Sequence, residues 1–221
     1  MERDGSQGQQ LLAIVSGANT NFDRLRYISE RTEIGEHREA VISVTIPEEP
    51  GSFRRFCSAL GRRNITEFNY RYSSAADARV FVGLSVVPGG TDLEELLADL
   101  NAQGYATEDL TDNEVAKLHI RHMVGGRAPA QVDNEVVYRV EFPERPGALA
   151  KFLSGLGQRW NISMFHYRNH GAAYGRILVG LQVPRGQRRE LAKALAGIDY
   201  PHWEETNNRA YQLYLGQESS E

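Results

Sequence analysis

Two stretches of the chain are copies of one another, and this duplication constrains the fold more than any other feature. The first runs Pro47-Glu48-Glu49-Pro50-Gly51, then Phe56 and Leu60-Gly61, then Asn64-Ile65-Thr66-Glu67-Phe68-Asn69-Tyr70-Arg71. The second runs Pro143-Glu144-Arg145-Pro146-Gly147, then Phe152 and Leu156-Gly157, then Asn161-Ile162-Ser163-Met164-Phe165-His166-Tyr167-Arg168. The copies lie 96 residues apart at Pro47 and Pro143, and 97 apart at Asn64 and Asn161, after one inserted residue near Trp160. The 97-residue spacing holds through Arg79-Val80-Phe81-Val82-Gly83-Leu84 and Arg176-Ile177-Leu178-Val179-Gly180-Leu181. A repeat this long is one structural unit used twice. Two like units give two like sites, or one site at their junction, which suits sensing a ligand better than running a reaction.

Each copy reads strand, helix, strand, strand, helix, strand. Ile42, Val44 and Ile46 alternate with Val41, Ser43 and Thr45, the period of a strand, and Pro47 ends it. Phe53, Phe56, Cys57 and Leu60 recur at helical spacing before Gly61. Residues 64–72 alternate again, and residues 79–87 are nearly all apolar, as a central strand should be. Thr91 is placed to cap an acidic-first helix with Leu93, Leu96, Leu97 and Leu100, and Gly104 ends it. This order predicts an α+β fold: two tandem ferredoxin-like βαββαβ units, antiparallel sheets with helices on one face. An extra piece follows each copy, at residues 113–124 and 208–215, read as a helical turn and an added strand. The linker between the copies holds Pro129 and little that could pack. Upstream, residues 11–15 form an apolar strand with no sheet to join, and Phe22, Leu25 and Ile28 sit at helical spacing before Gly35.

Composition narrows the function classes. An apolar fraction of 41% and a charged fraction of 24% over 221 residues are those of an ordinary globular protein. A net charge of −4 argues against a nucleic-acid partner. The one cysteine, Cys57, allows no internal disulfide and fits a reducing, cytoplasmic setting. No run approaches the roughly 18 apolar residues that would span a membrane, and the start lacks a secretory pattern.

Candidate sites follow from the duplicated motifs. Gly51 and Gly147 open the first helix of each copy, where unpaired N–H groups suit a carboxylate and glycine lets a ligand approach. Asn64 and Asn161 begin the next strand. Tyr70 and Tyr167 share a strand face with Phe68 and Phe165, and Arg71 and Arg168 point to the other face. A tyrosine offers an apolar wall and a hydroxyl, and an arginine a bidentate grip on a carboxylate. The bland alternative is a turn at each glycine, core tyrosines and solvated arginines. His119, His122, His166 and His170 lack the acidic or cysteine partners of a metal set, so no metal is expected.

Residues 39–216 resemble the C-terminal regulatory region of biosynthetic threonine dehydratases (threonine ammonia-lyases), a pair of ACT-like subdomains. The resemblance rests on Pro47-Glu48-Glu49-Pro50-Gly51-Ser52-Phe53, Thr66-Glu67-Phe68-Asn69-Tyr70-Arg71, Leu118-His119-Ile120-Arg121-His122-Met123-Val124-Gly125-Gly126-Arg127, Phe142-Pro143-Glu144-Arg145-Pro146-Gly147-Ala148-Leu149, Asn161-Ile162-Ser163-Met164-Phe165-His166-Tyr167-Arg168 and Glu204-Glu205-Thr206-Asn207-Asn208. Ser16-Gly17-Ala18-Asn19-Thr20-Asn21-Phe22-Asp23-Arg24-Leu25-Arg26 is similar to the last strand and exit helix of the family's catalytic domain. The resemblance thus implies three parts: residues 1–38 from the catalytic domain, 39–127 as the first subdomain and 134–221 as the second.

The resemblance implies a sensor of branched-chain amino acids, inhibited by isoleucine and opposed by valine. It implies effector roles for Tyr70, Tyr167, Arg168 and Arg121, and more weakly for Arg71. The loop glycines Gly51 and Gly147 and the asparagines Asn64 and Asn161 match positions that ACT domains use for amino acids. The expected partners are these effectors, the catalytic domain and other copies of the chain. No cofactor is expected in this chain; in the complete enzyme Ser16 would face the pyridine nitrogen of pyridoxal phosphate. No Schiff-base lysine or phosphate loop is evident, so the chain alone is not expected to be an enzyme. Two other classes share the fold: a small acylphosphatase-type enzyme, whose nucleophile-positioning motif is not found, and an RNA-binding module using the Phe68-Tyr70-Tyr72 row.

Overall fold

In the computed structural model, which describes residues 38–72, 77–123, 125–145, 147–169 and 174–217, the strand-forming alternation of Ile42, Val44 and Ile46 lies within β1 (Glu39–Pro47). The first copy continues with α1 (Ser52–Ala59), β2 (Ile65–Arg71), β3 (Asp77–Ser85), α2 (Asp92–Ala102) and β4 (Ala106–Asp109). A short helix, α3 (Glu114–Leu118), and a 3-10 turn (Ile120–His122) follow. The second copy gives β5 (Glu135–Pro143), α4 (Ala148–Leu156), β6 (Asn161–Arg168), β7 (Tyr174–Gln182), α5 (Arg188–Ile198), β8 (His202–Glu204) and α6 (Arg209–Tyr214). The expected βαββαβ order is present twice. The features expected of residues 1–37, Ser16 among them, and of His170 fall outside the described residues.

The strands form one sheet where two were expected. Its order is β4-β1-β3-β2-β6-β7-β5-β8, and every pairing is antiparallel. The two copies join where β2 meets β6. Asn69 faces His166 across that seam, flanked by Phe68 opposite Tyr167 and Tyr70 opposite Phe165. These are counterpart positions, so an approximate twofold axis runs between Asn69 and His166.

The helix-covered face holds the main core. Ile42, Val44, Phe68 and Leu84 from the first copy and Val140, Phe165, Val179 and Leu181 from the second are essentially excluded from solvent. Phe56, Leu100, Phe152 and Leu191 close over them from the helices. Three rings tie the copies together at the seam: Phe53 lies 4.8 Å from Phe165 and 5.3 Å from Phe68, and Phe68 lies 6.1 Å from Phe165. Aromatic pairs at such distances add to simple burial.

The opposite face is covered by the pieces that follow each copy. Ala116 of α3 packs on Val41 and Phe81, with Leu110 beside them. Asn113 caps α3 through its side chain, and Asn208 caps α6 in the same way. The added strands expected in these pieces do not form among the described residues. The chain turns through residues 120–122 instead, drawing the Arg121 guanidinium onto buried carboxylates. The linker also differs from expectation: Ala128 and Val132 are buried, and the Ala128 N–H donates to the Leu215 carbonyl.

Candidate functional site in the cleft between the two copies

Gly51 stands at the start of α1 with φ at +88°, and Gly147 matches it at the start of α4 with φ at +87°. That conformation favours glycine, and it lets the Pro47–Gly51 turn fold back against the sheet. At the first turn the second copy closes in. A Cβ on Gly51 would lie 2.7 Å from Gln158 Cγ, whereas a Cβ on Gly147 would meet nothing within 4 Å.

A cleft opens here between the copies, walled by Glu48, Gly51 and Tyr70 from the first and by Leu156, Trp160 and Asn161 from the second. Its free space is about 20 Å³, room for little more than one water. The Glu48 carboxylate spans it. Tyr70 Oη donates to Glu48 Oε2, and Asn161 Nδ2 donates to Glu48 Oε1 at 2.6 Å. Burial raises the pKa of Glu48, while the hydrogen bonds from Tyr70 and Asn161 pull it down. Burial raises that of the Tyr70 phenol, and the Glu48 charge adds to the effect.

The counterpart at the second copy is not the same. Tyr167 Oη donates to Glu144 Oε1 at 2.7 Å, but Glu144 Oε2 is buried with no hydrogen-bond partner. Asn64, the counterpart of Asn161, is exposed and donates to Ser85 Oγ at 2.9 Å. Trp160, in the stretch where the second copy gains a residue, lines the wall of the first cleft, and its indole N–H donates to Gln187 Oε1 at 2.9 Å.

The three arginines lie on the other face of the sheet. Arg71 makes a two-pronged bond to Glu135, at 2.6 and 3.2 Å, and donates to the Leu215 carbonyl at 2.7 Å. Both partners' side chains are almost fully buried, at 3% and 5% exposure, so this cross-copy pair is not the solvated arginine of the bland reading. Tyr211 Oη donates to the same Glu135. Arg121 bonds Glu39 with both terminal nitrogens, at 3.1 and 3.0 Å, and Glu67 through Nε at 3.0 Å. Burial pushes the Glu67 carboxyl up to about 7 against the pull of Arg121. Arg168 lies 3.0 Å from His122 Nδ1. Of the nine effector residues the sequence picks out, the structure gathers Gly51, Tyr70 and Asn161 in the first cleft. Tyr167 meets Glu144 in the second copy, where Gly147 opens α4, while Asn64 and the arginines lie apart.

The sequence singled out neither Glu48 nor Trp160 as a site residue. Glu48 repeats as Glu144 within the quoted motifs, and that repetition was the available signal. Trp160 announced itself only as a change in repeat spacing. The aromatic row that suggested RNA is closed to bases, since Phe68, Tyr70 and Tyr72 are 0%, 3% and 9% exposed beneath the helices. Among the described residues no cluster of histidine, cysteine or carboxylate could hold a metal, and no helix is long and apolar enough to cross a membrane. A wider depression of about 670 Å³ lies on the arginine face beside Arg127, Arg209 and Gln217, but it draws on the second copy and its linker and leaves out Tyr70 and Tyr167.

The family model for the C-terminal regulatory domain of threonine dehydratase matches residues 30–120 and again 126–215. The biosynthetic L-threonine dehydratase IlvA of Burkholderia multivorans is 55% identical over 214 residues, covering 97% of this chain and 42% of that protein. IlvA of Escherichia coli is 50% identical over 95% of this chain and 40% of its own length. The mitochondrial threonine dehydratase of Saccharomyces cerevisiae is 43% identical over 91% of this chain and 36% of its own length. The chain therefore spans about two fifths of the relatives it matches.

Proposed function

We infer, from the premise that this chain belongs to the threonine dehydratase C-terminal regulatory family, that its junction cleft senses branched-chain amino acids. Isoleucine is the inhibitory effector in this reading and valine its opponent. The observation that carries it is the first cleft, where the two copies meet over Tyr70, Asn161 and the Gly51 turn. Two hydrogen-bond donors there already hold a carboxylate, that of Glu48. An α-amino acid brings the same group, and Phe53, Leu153 and Leu156 offer an apolar wall for its side chain.

The arginines act indirectly in this reading. Arg71 neighbours Tyr70 on β2 and ties the first copy to Glu135 of the second. A change in how β2 sits against β6 would be felt on both faces of the sheet. Effector binding would shift a lyase between states by a coupling of ~1–3 kcal/mol. Residues 39–127 and 134–221 serve as its two subdomains, and residues 1–38 belong with the catalytic domain. Pyridoxal phosphate would supply the carbon–nitrogen chemistry of the complete enzyme in the cytoplasm, and the chain alone would regulate. Ser16, its expected neighbour, lies outside the described residues, so no residue here tests the fit of that cofactor. Self-association follows the same reading.

Melting curves of the chain with isoleucine, valine, threonine and alanine test the proposal. Isoleucine at ~100 times its dissociation constant should add ~2.7 kcal/mol of stability. Tyr70→Phe should blunt the response. A folded chain that ignores isoleucine and valine at millimolar concentration, with and without the catalytic domain restored, would refute the reading.

A further inference from the structure

We propose that the Glu48 carboxylate is an internal stand-in for the ligand's carboxylate, which an amino acid must displace before it can fill the first cleft. The proposal rests on the sensing function inferred above and goes further, naming the residue that gates the first cleft. Three observations carry it. Tyr70 Oη and Asn161 Nδ2, the two donors from opposite copies, both end on Glu48, one on each carboxylate oxygen. The space left over holds little more than a water, so an amino acid cannot enter beside Glu48 with that side chain in place. The second copy lacks the latch: Glu144 takes only the Tyr167 hydroxyl, and Asn64 is turned to Ser85.

The alternative use of Glu48, as the receptor for the ligand's ammonium group, fits less well. An ammonium would have to reach Glu48 with that side chain still in place, and the cleft then holds little more than a water. A ligand carboxylate, by contrast, inherits two positioned donors once Glu48 swings out. The cost of displacement lowers the apparent affinity by the fraction of molecules in which the donors are free. The first cleft is thus a conditional site, open to the ligand only when the latch is open. Trp160 lines the same cleft, and Gln158 packs against the Gly51 turn beside it.

Calorimetric titration of the whole chain with isoleucine tests this, using Glu48→Ala, Glu48→Gln and the wild type. If the latch is closed in about nine molecules of ten, Glu48→Ala should tighten binding at the first cleft by roughly tenfold. Glu48→Gln keeps the side chain's bulk but loses the charge and one of the two acceptor oxygens, so it should tighten the site by a smaller factor. Both gains should vanish in a Tyr70→Phe background, which removes a donor the ligand would inherit. Loss of a merely structural contact would not strengthen binding. Unchanged or weakened binding in folded Glu48→Ala and Glu48→Gln, with the wild type binding normally, overturns this proposal alone. No binding by any of the proteins, with melting curves intact, overturns the sensing function and this proposal together.

Discussion

At Glu67, burial and pairing pull in opposite directions. The side chain is fully buried and one of its oxygens has no hydrogen-bond partner, yet Arg121 lies 2.9 Å away. Burial wins, and the carboxyl ionises at about 7 in the folded chain instead of 4.5. Between those two values the unfolded chain has lost this proton and the folded chain keeps it. Stability from this group therefore falls as pH rises from 4.5 to about 7. Melting temperatures of the wild type and Glu67→Gln across that window should converge at the acid end and diverge at the neutral end, with the variant the more stable. A constant offset would contradict the assignment. Arg121→Ala has the opposite sense, because it strands Glu39 and Glu67 without their cation. It should cost about 3–5 kcal/mol in urea unfolding. At this scale the sequence showed which residues are repeated but not what they touch. Arg71 read as a grip for a ligand or a solvated arginine, and Arg121 entered only through the resemblance, since nothing in the pattern revealed that Glu135 and Glu39 wait for them beneath the extra helices.

At the scale of elements, the repeat was legible because period-two and helical spacings are local properties. The strands and helices of both copies fall within a few residues of where the alternation places them. The seam was not legible. Glu67, Asn69 and Arg71 alternate with Phe68 and Tyr70, which reads as a strand with one wet face. In fact β2 is interior: β6 hydrogen-bonds its edge, and the segments after each copy cover its polar side. Polar alternation cannot distinguish water from a buried ion pair. Phe165→Ala at the seam removes a fully buried ring that contacts Phe53 and Phe68. It should destabilise by about 3–5 kcal/mol, measured by denaturant unfolding. Gly83→Ala probes the other face of the sheet. Its Cβ would stand 2.4 Å from Thr66 Oγ1 and 3.1 Å from Glu39 Oε1, so a cost of roughly 1–3 kcal/mol is expected in the same assay.

At the scale of the whole molecule, one sheet with one continuous core argues for one unfolding transition. The aromatic contacts of Phe53 and the bond from Arg71 to Glu135 cross between the copies on opposite faces. Calorimetry should give a single heat-absorption peak whose van't Hoff and calorimetric enthalpies agree. Two resolved peaks would mean that each copy melts alone. The axis between Asn69 and His166 carries a further consequence. In a dimer of identical chains every substitution is made twice, once on each side of the axis, so neither half can be altered without the other. Here the halves are written in one chain. Asparagine can face histidine, a tryptophan can stand on one side alone, and the partners of Glu48 can change while those of Glu144 keep their setting. On the proposed sensing function, each copy can therefore be set separately to the same signal.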